Sequence, residues 1–468
     1  MGRWTGLDSP GHWGLAHRSA GPRPTGTSAH RSTGTSAHRL IEGEQMRLSP
    51  IGTRMAGLSG LRSIMEDVAA STADTSAEEW LNLSIGNPAA IPAAGAMWRE
   101  ALTRALEEDF DAVCGRYGPS RGSAGLIEAV SAYFHHAYGW DLGPENVVVG
   151  PGSQMVCFAA AALFCGPEPD GAHRRLVLPM VPDYTGYQGL CMHEDGIVGV
   201  APQIVEDGEH GFRYALDLDA LARLDGIGML LISTPGNPTG RAMDRAELDG
   251  LITFAEARDI PLVIDHAYGA PFPRIGEVPV EPVRHPHVVN CFSASKAGMP
   301  GERVGFAIGD PRYVGAIAAF LSNSVLHAAQ LPQAALATTL REGTLDEVTR
   351  DAITPYYRGK RELMDALLME QLPPDIAWRS HSGAGGMFAW VWIDHAWFDD
   401  VELYRRLKEK RVFVVPGRHF FVDATTTALP RGHATRCFRM SLSAPEKTLI
   451  DGVSRVAETL EEMRAEAN

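Results

Sequence analysis

Three stretches decide the fold: Met229-Leu-Leu-Ile-Ser-Thr-Pro-Gly-Asn-Pro-Thr-Gly240, Pro261-Leu-Val-Ile-Asp-His-Ala-Tyr268 and Val288-Val-Asn-Cys-Phe-Ser-Ala-Ser-Lys296. Each begins with a short apolar run and ends in polar residues. Runs of this length, bounded by Gly, Pro or Asp, read as strands buried on both faces of a parallel sheet. Leu176–Pro179 and Val304–Gly309 have the same character and complete five predicted parallel strands. Amphipathic stretches such as Arg245–Arg258 lie between them, and Met155–Cys165 reads as a buried helix. The alternation predicts an α/β fold whose mostly parallel sheet is covered by helices on both faces. Ligands of such sheets bind beyond the carboxyl ends of the strands. Asn237, Asp265, Tyr268, Ser293, Ser295 and Lys296 all lie there.

Outward from this centre the pattern changes. After about Arg341 a long helical stretch, Leu345–Leu372, precedes Met387–Ile393, Val412–Pro416 and Cys437–Leu442, with Val401–Arg411 helical among them. This predicts a smaller α+β C-terminal domain over 341–468, beside a large domain over 96–340 and an N-terminal segment over 46–95. Residues 1–45 differ again. They are rich in Gly, Ser, Thr, Pro, His and Arg, and Thr25-Gly-Thr-Ser-Ala-His-Arg-Ser32 is nearly repeated by Thr33-Gly-Thr-Ser-Ala-His-Arg-Leu40. Such a segment buries too little apolar surface to offset its ordering entropy. The expectation is a disordered low-complexity extension, with Met46 as an alternative start.

Composition excludes several classes. The 468 residues are 21% charged and 45% hydrophobic, with a formal net charge of −15. An acidic chain is a poor binder of nucleic acid, and no run of ~18 apolar residues predicts a membrane helix. Six cysteines, at 114, 157, 165, 191, 291 and 437, form no Cys-x-x-Cys pair. They predict a reducing cytoplasm, no disulfide scaffold and no structural metal. The N-terminus carries no signal-peptide pattern.

Singly, each polar strand end is an ordinary turn or cap. Together, an amide, a carboxylate, a phenol, two hydroxyls and an amine in one crevice match a pyridine cofactor used as an electron sink. Such a cofactor needs an anion at its ring nitrogen, donors to its phenolic oxygen and an amine for a Schiff base. Gly150-Pro-Gly-Ser-Gln154, ahead of the Met155 helix, offers backbone N–H groups and a helix dipole to a phosphate.

With Asn-Pro-Thr-Gly, Asp-x-x-Tyr, Ser-x-Ser-Lys and Gly-x-Arg-x-Gly in order, the chain resembles the class I/II aminotransferases, pyridoxal 5'-phosphate enzymes of fold type I. Within that family the resemblance is to the valine–pyruvate aminotransferase branch. It is carried by Gly86-Asn-Pro-Ala-Ala-Ile-Pro92, Ile264-Asp-His-Ala-Tyr-Gly-Ala-Pro-Phe-Pro273, Lys296-Ala-Gly-Met-Pro-Gly-Glu-Arg303 and Val414-Val-Pro-Gly-Arg-His-Phe-Phe421. It covers about residues 50 to 465.

The resemblance implies roles for these positions. Lys296 would form the Schiff base and shuttle the proton between substrate Cα and cofactor C4′. Asp265 would pair with the ring nitrogen, and Tyr268 and Asn237 would bond the phenolic oxygen. Tyr184 would stack on the ring. Gly152, Ser153, Gln154, Ser293, Ser295 and Arg303 would hold the phosphate, joined by Tyr117 from the other subunit of a homodimer. Arg439, in Cys437-Phe-Arg-Met-Ser441, would take the substrate α-carboxylate in a bidentate pair, a task suited to guanidinium and not to ammonium. Gly86 would lie under that carboxylate. No metal is implied.

The expected reaction is transfer of an amino group between a neutral aliphatic amino acid, of alanine or valine type, and a 2-oxo acid by a ping-pong mechanism. The same residues serve β-elimination and amino-acid oxidation, and the motifs do not choose among these. A regulatory ligand-binding domain is disfavoured, because Lys296 and its surroundings are intact.

Overall fold

The structure, a computed structural model, describes residues 47–57, 60–73, 80–276, 280–383, 385–422 and 429–467. The expected extension 1–45 lies outside them. All the elements described fall within the unit Ser49–Asn468.

The largest sheet has eight strands. From one edge they run Val147–Gly150, Gly305–Ile308, Val288–Ser293, Leu262–Asp265, Ile227–Ser233, His173–Leu178 and Gly166–Pro167, with Ile197–Gly199 also paired to His173–Leu178. The strands Val288–Ser293, Leu262–Asp265, Ile227–Ser233 and His173–Leu178 are mutually parallel. Alternation along them explains the three layers. Leu230, Ile232, Leu262 and Ile264 face the helix Arg245–Ala257, meeting Leu248, Leu251 and Ala255. Met229, Leu231, Val263 and Val289 face the opposite way, toward Val156 and Ala160 of the helix Ser153–Phe164 and Ile317 of Pro311–Val325. Both faces are dry, so near-continuous apolar runs were required. Asp244 caps the Arg245–Ala257 helix in a reciprocal capping box with Glu247.

One strand corrects the expectation. Gly305–Ile308, predicted parallel within Val304–Gly309, runs antiparallel to both of its neighbours. The physical reason is the short link Ala294–Val304 behind it. A parallel return needs a crossover of roughly a dozen or more residues, usually helical, whereas this link is made of turns.

The second sheet has six strands, in the order Val415–Pro416, Cys437–Ser441, Phe388–Ile393, Trp378–His381, Gly211–Ala215 and Gln203–Asp207. The hairpin 203–215 leaves the 96–340 segment to join it, through parallel pairing of Gly211–Phe212 with Ser380–His381. The predicted helix over 345–372 is Thr344–Val348 and Thr354–Gln371, joined through a π turn at Thr349–Ile353. Val412–Pro416 divides in two. Val412–Phe413 pairs with Leu81–Asn82 of the N-terminal segment, while Val415–Pro416 pairs with Cys437–Ser441.

The sheet brings Gly305 against the turn that starts the Ser153 helix. A Cβ at Gly305 would lie 2.6 Å from the Phe292 carbonyl oxygen and 2.9 Å from both Gly152 C and Ser153 N. These are backbone atoms and cannot rotate aside. Gly305→Ala should therefore cost about 1–3 kcal/mol, the range of overpacked sites, and lower Tm by several degrees in a thermal melt. Gly301→Ala serves as control, since a Cβ there meets no atom within 4 Å.

Candidate active site

Three adjacent parallel strands deliver the chemistry. Ser233 is in register with Asp265, and Asp265 with Cys291. The loops after these strands, carrying Asn237, Tyr268 and Lys296, therefore emerge side by side. Lys296 Nζ donates to the Gly86 carbonyl at 2.6 Å and stands 5.8 Å from the centre of the Tyr268 ring. Burial, then the positive charges of Arg439 and Arg303, lower its pKa from 10.5 to about 8, against an opposing pull from Asp265. An amine in this setting sheds its proton near neutrality, as a nucleophile must.

Asp265 is buried at the end of its strand. Oδ2 accepts from Tyr187 Oη at 3.0 Å and from Ser153 Oγ at 3.3 Å, and Oδ1 accepts from the Ala267 N–H at 3.0 Å. Burial raises its pKa to about 6, with those donors pulling it back. No salt bridge reaches it among the described residues. Tyr268 is buried beside it, and burial holds its phenol well above the ordinary range, opposed by Arg439.

The turn 150–154, expected to hold a phosphate, lies against Arg303, and its residues divide their bonds. Gly152 has φ 80° and caps Ser153–Phe164 without a side-chain bond. The first N–H groups of that helix therefore remain for an outside acceptor. A Cβ at Gly152 would lie 2.5 Å from Arg303 Nη2, so only glycine lets the guanidinium close on the turn. Arg303 Nη1 donates to Ser295 Oγ at 3.0 Å, and Ser293 Oγ donates to the same oxygen at 2.9 Å. The side chains of Ser153 and Gln154 are engaged elsewhere. Ser153 bonds Asp265, and Gln154 Nε2 donates to the Gly186 carbonyl at 3.1 Å. Their backbone N–H groups are what they can offer a phosphate. Beside Gln154 and Arg303 opens a cleft of about 760 Å³, also walled by Met55, Phe158, Leu190 and Phe421.

Arg439 projects from the second sheet and is fully buried. Its guanidinium lies 4.0 Å from the Phe388 ring centre and 5.2 Å from that of Phe420. Nη1 donates to Asn237 Oδ1 and Nη2 to the Ser84 carbonyl, each at 2.9 Å. Nε is buried without a partner, and no carboxylate pairs with the group among the described residues. Two of the five N–H donors of a guanidinium are thus used, leaving three. Burial lowers its pKa to about 10. At Gly86 a Cβ would meet no protein atom within 4 Å, so packing does not require glycine there.

Tyr184 sits above a glycine. A Cβ at Gly186 would lie 2.3 Å from its ring, and Tyr187 meets the ring edge-on at 5.2 Å. Tyr117 is the one candidate outside the cluster. It is 86% exposed and touches the His327 ring edge-on at 5.9 Å. Among the described residues no group of three or more His, Cys, Asp or Glu is placed to hold a metal ion, and no helix is long and apolar enough to cross a membrane.

Sequence reasoning missed the residues that hold the candidates. Tyr187 grips Asp265, and Asp183 fastens the Tyr184 turn by accepting from the Tyr184 N–H at 2.7 Å and from the Ser233 hydroxyl and N–H. Burial raises the Asp183 pKa to about 7. A signal for Tyr187 existed in its spacing. Tyr187 stands three residues after Tyr184, at the end of the stretch 182–187. Ser84, Phe388 and Phe420 left no such trace.

The fit to pyridoxal phosphate can be tested on these groups. Arg439 is an orphaned buried cation for a carboxylate, and the uncapped helix start with Arg303 and two serines suits a phosphate. Asp265 is a buried anion without a salt bridge, and Lys296 is an amine of lowered pKa beside it. Each is costly alone and is matched by one part of the cofactor or its amino-acid substrate. The chain is thus built as a pyridoxal-phosphate enzyme of fold type I. Residues 78–456 match the family described as aminotransferase class I and II, and the protein belongs to that family. It is 31% identical over 425 residues to the valine–pyruvate aminotransferase of Escherichia coli, covering 90% of this chain and 100% of that one. Among solved structures it resembles a putative amino-acid aminotransferase from Psychrobacter arcticum, with TM-score 0.84, 29% identity and coverage of 90% and 99%. It also resembles the valine–pyruvate aminotransferase of Salmonella typhimurium, with TM-score 0.77, 30% identity and coverage of 87% and 100%. The protein is a pyridoxal-phosphate-dependent aminotransferase acting on amino acids and 2-oxo acids.

The lowered pKa of Lys296 has a kinetic signature. Capture of pyridoxal phosphate by the apoprotein should quicken with rising pH and level off above about 8, since only the neutral amine attacks. A lysine at the ordinary 10.5 would keep gaining well beyond that point. Arg439→Gln, removing a positive neighbour, should move the break up, and Asp265→Asn should move it down. Stopped-flow absorbance across pH 6.5–10 reads all three.

Proposed function

We propose that this aminotransferase moves amino groups between neutral aliphatic amino acids, of alanine and valine type, and pyruvate-type 2-oxo acids. The observation that carries it is Arg439. It is a buried guanidinium with unused donors, packed on the Phe388 and Phe420 rings and fixed to Asn237. This anchors an α-carboxylate and offers apolar surroundings to the substrate side chain. The relative named valine–pyruvate aminotransferase, matched over its whole length, supports the substrate pair.

Pyridoxal phosphate, when bound, supplies an electron sink for negative charge at the substrate Cα. Lys296 would be the amine that holds it and the general base for the Cα proton. Asp265, steadied by Tyr187 and Ser153, would pair with the ring nitrogen, and Asn237, Tyr268 and Tyr184 would hold the ring and its phenolic oxygen. The N–H groups of the Ser153 helix, Ser293, Ser295 and Arg303 would hold the phosphate, and Arg439 the substrate carboxylate beside Gly86.

The test is a panel of donors against pyruvate, 2-oxoisovalerate and 2-oxoglutarate, with products quantified. Valine with pyruvate should yield alanine, and aspartate should react at least ~10-fold more slowly. Release of 2-oxo acid and ammonia without an acceptor would favour elimination or oxidation and overturn the reading. Arg439→Lys should raise KM for valine by about 10–100-fold, the loss expected when a bidentate ion pair is broken.

The working unit in this reading is a homodimer with shared sites, in a reducing cytoplasm. The six cysteines are unpaired, which suits that compartment. Tyr117 stands exposed near exposed Leu326, with Gln330 Nε2 fixing its loop through the carbonyls of Ala112 and Arg116 at 2.9 and 2.7 Å. An exposed phenol on a held loop suits a phosphate in a neighbouring copy. Hybrids pairing a Tyr117→Phe subunit with a Lys296→Ala subunit place both lesions in one site. They should keep about half the activity per dimer; an active monomer by sedimentation would refute sharing.

A further inference from the structure

Residues 84–91 pass Lys296 and Arg439 with Gly86 and Asn87 exposed, and, besides the local bonds of Ser84 to Asn82 Oδ1, three hydrogen bonds among the described residues tie them to distant parts of the chain. The Ser84 carbonyl accepts from Arg439 Nη2 at 2.9 Å, and the Gly86 carbonyl from Lys296 Nζ at 2.6 Å. The third bond comes from the loop itself, where the Ala89 N–H donates to Tyr357 Oη at 2.8 Å. The first two ties belong to groups the reaction claims. Lys296 cannot stay on Gly86 while it serves the cofactor, and Arg439 has the substrate carboxylate to hold as well as Ser84. The Tyr357 bond is the one that the chemistry leaves alone.

Tyr357 is built to stay. It is 3% exposed in the helix Thr354–Gln371, with its ring edge-on to Tyr356 at 5.3 Å. Its hydroxyl continues to Ser443 Oγ at 3.4 Å, just past the strand that carries Arg439, and Ser443 Oγ reaches Met387 Sδ at 3.9 Å. One hydroxyl therefore couples the mouth loop to the sheet that holds the carboxylate anchor.

We propose that Tyr357 is a positioning residue for substrate binding: its hydroxyl clamps residues 84–91 over the site when Lys296 and Arg439 are occupied elsewhere. The loop is thereby pre-ordered, and the amino acid does not bear the entropy of ordering it. A neutral hydrogen bond of this kind is worth a factor of roughly 2–10 in binding. The inference rests on the aminotransferase reading for its kinetic part only.

Tyr357→Phe removes the hydroxyl and keeps the ring. In the cofactor-loaded enzyme it should raise KM for valine by about 3–10-fold, leaving kcat within ~2-fold and cofactor affinity unchanged. Hydrogen exchange, followed by mass spectrometry, should quicken in peptides covering 84–91 and not elsewhere. Tyr356→Phe, deleting a neighbouring phenol that makes no such bond, should change neither. A fall in kcat with KM unmoved, a general loss of exchange protection or unchanged exchange at 84–91 would each overturn the clamp. Failure of the wild-type enzyme to transaminate valine would sink the substrate assignment instead, and the exchange measurement would still decide the clamp.

Discussion

Everything in the site depends on the parallel pairing of Ile227–Ser233, Leu262–Asp265 and Val288–Ser293. Parallel strands end on the same edge of a sheet, about 4.8 Å apart. Asn237, Asp265 and Lys296 come from points up to 59 residues apart in the chain (237 to 296). The register alone makes them neighbours. The register is held by apolar side chains on both faces, so a one-residue slip would turn Asp265 into the core and Ile264 toward the ligand. Burial of Val263 and Ile264 is therefore also what aims the carboxylate.

That aim places like and unlike charges close together in a dry region. Burial first, then the positive charges of Arg439 and Arg303, lower the pKa of Lys296, and Asp265 pulls against them. Among the described residues Arg439 has no ion-paired anion and Asp265 no ion-paired cation. Isolated buried charges are unfavourable, so the protein alone carries electrostatic strain here. The hydroxyls of Tyr187 and Ser153 and the Asn237 amide limit that strain by satisfying part of each group. Their fixed geometry also means that little reorganisation is needed when charge shifts during reaction.

The two ends of the chain finish what the large sheet begins. Leu81–Asn82 adds to Val412–Phe413, and the Leu83 carbonyl accepts from the Ser441 N–H at 2.8 Å. The N-terminal segment is thereby attached to the strand that bears Arg439. Ser84, Gly86 and Ala89 then pass over the crevice between Lys296 and Tyr357. Because the anchor for the carboxylate and the loop over the mouth share one support, a shift of the C-terminal sheet would move both together.

The sequence by itself determined the layered α/β architecture, the strands carrying Ser233, Asp265 and Ser293, and the polar residues gathered at their ends. These are local signals: apolar runs with polar ends, and residue types with few alternatives for a ring nitrogen, a phosphate and a Schiff base. Tertiary structure alone decided the rest. The antiparallel course of Gly305–Ile308 followed from a link too short to cross over. The transfer of the 203–215 hairpin to the second sheet followed from an edge at Trp378–His381 open to pairing. Ser153 bonds Asp265 with its hydroxyl because the sheet brings the helix start against the strand end, which no spacing in the chain records. Tyr187, Asp183 and Tyr357 act through hydrogen bonds to partners 78, 50 and 268 residues away. A contact of that kind has no period and no motif; it exists only once packing has fixed where two distant backbones meet.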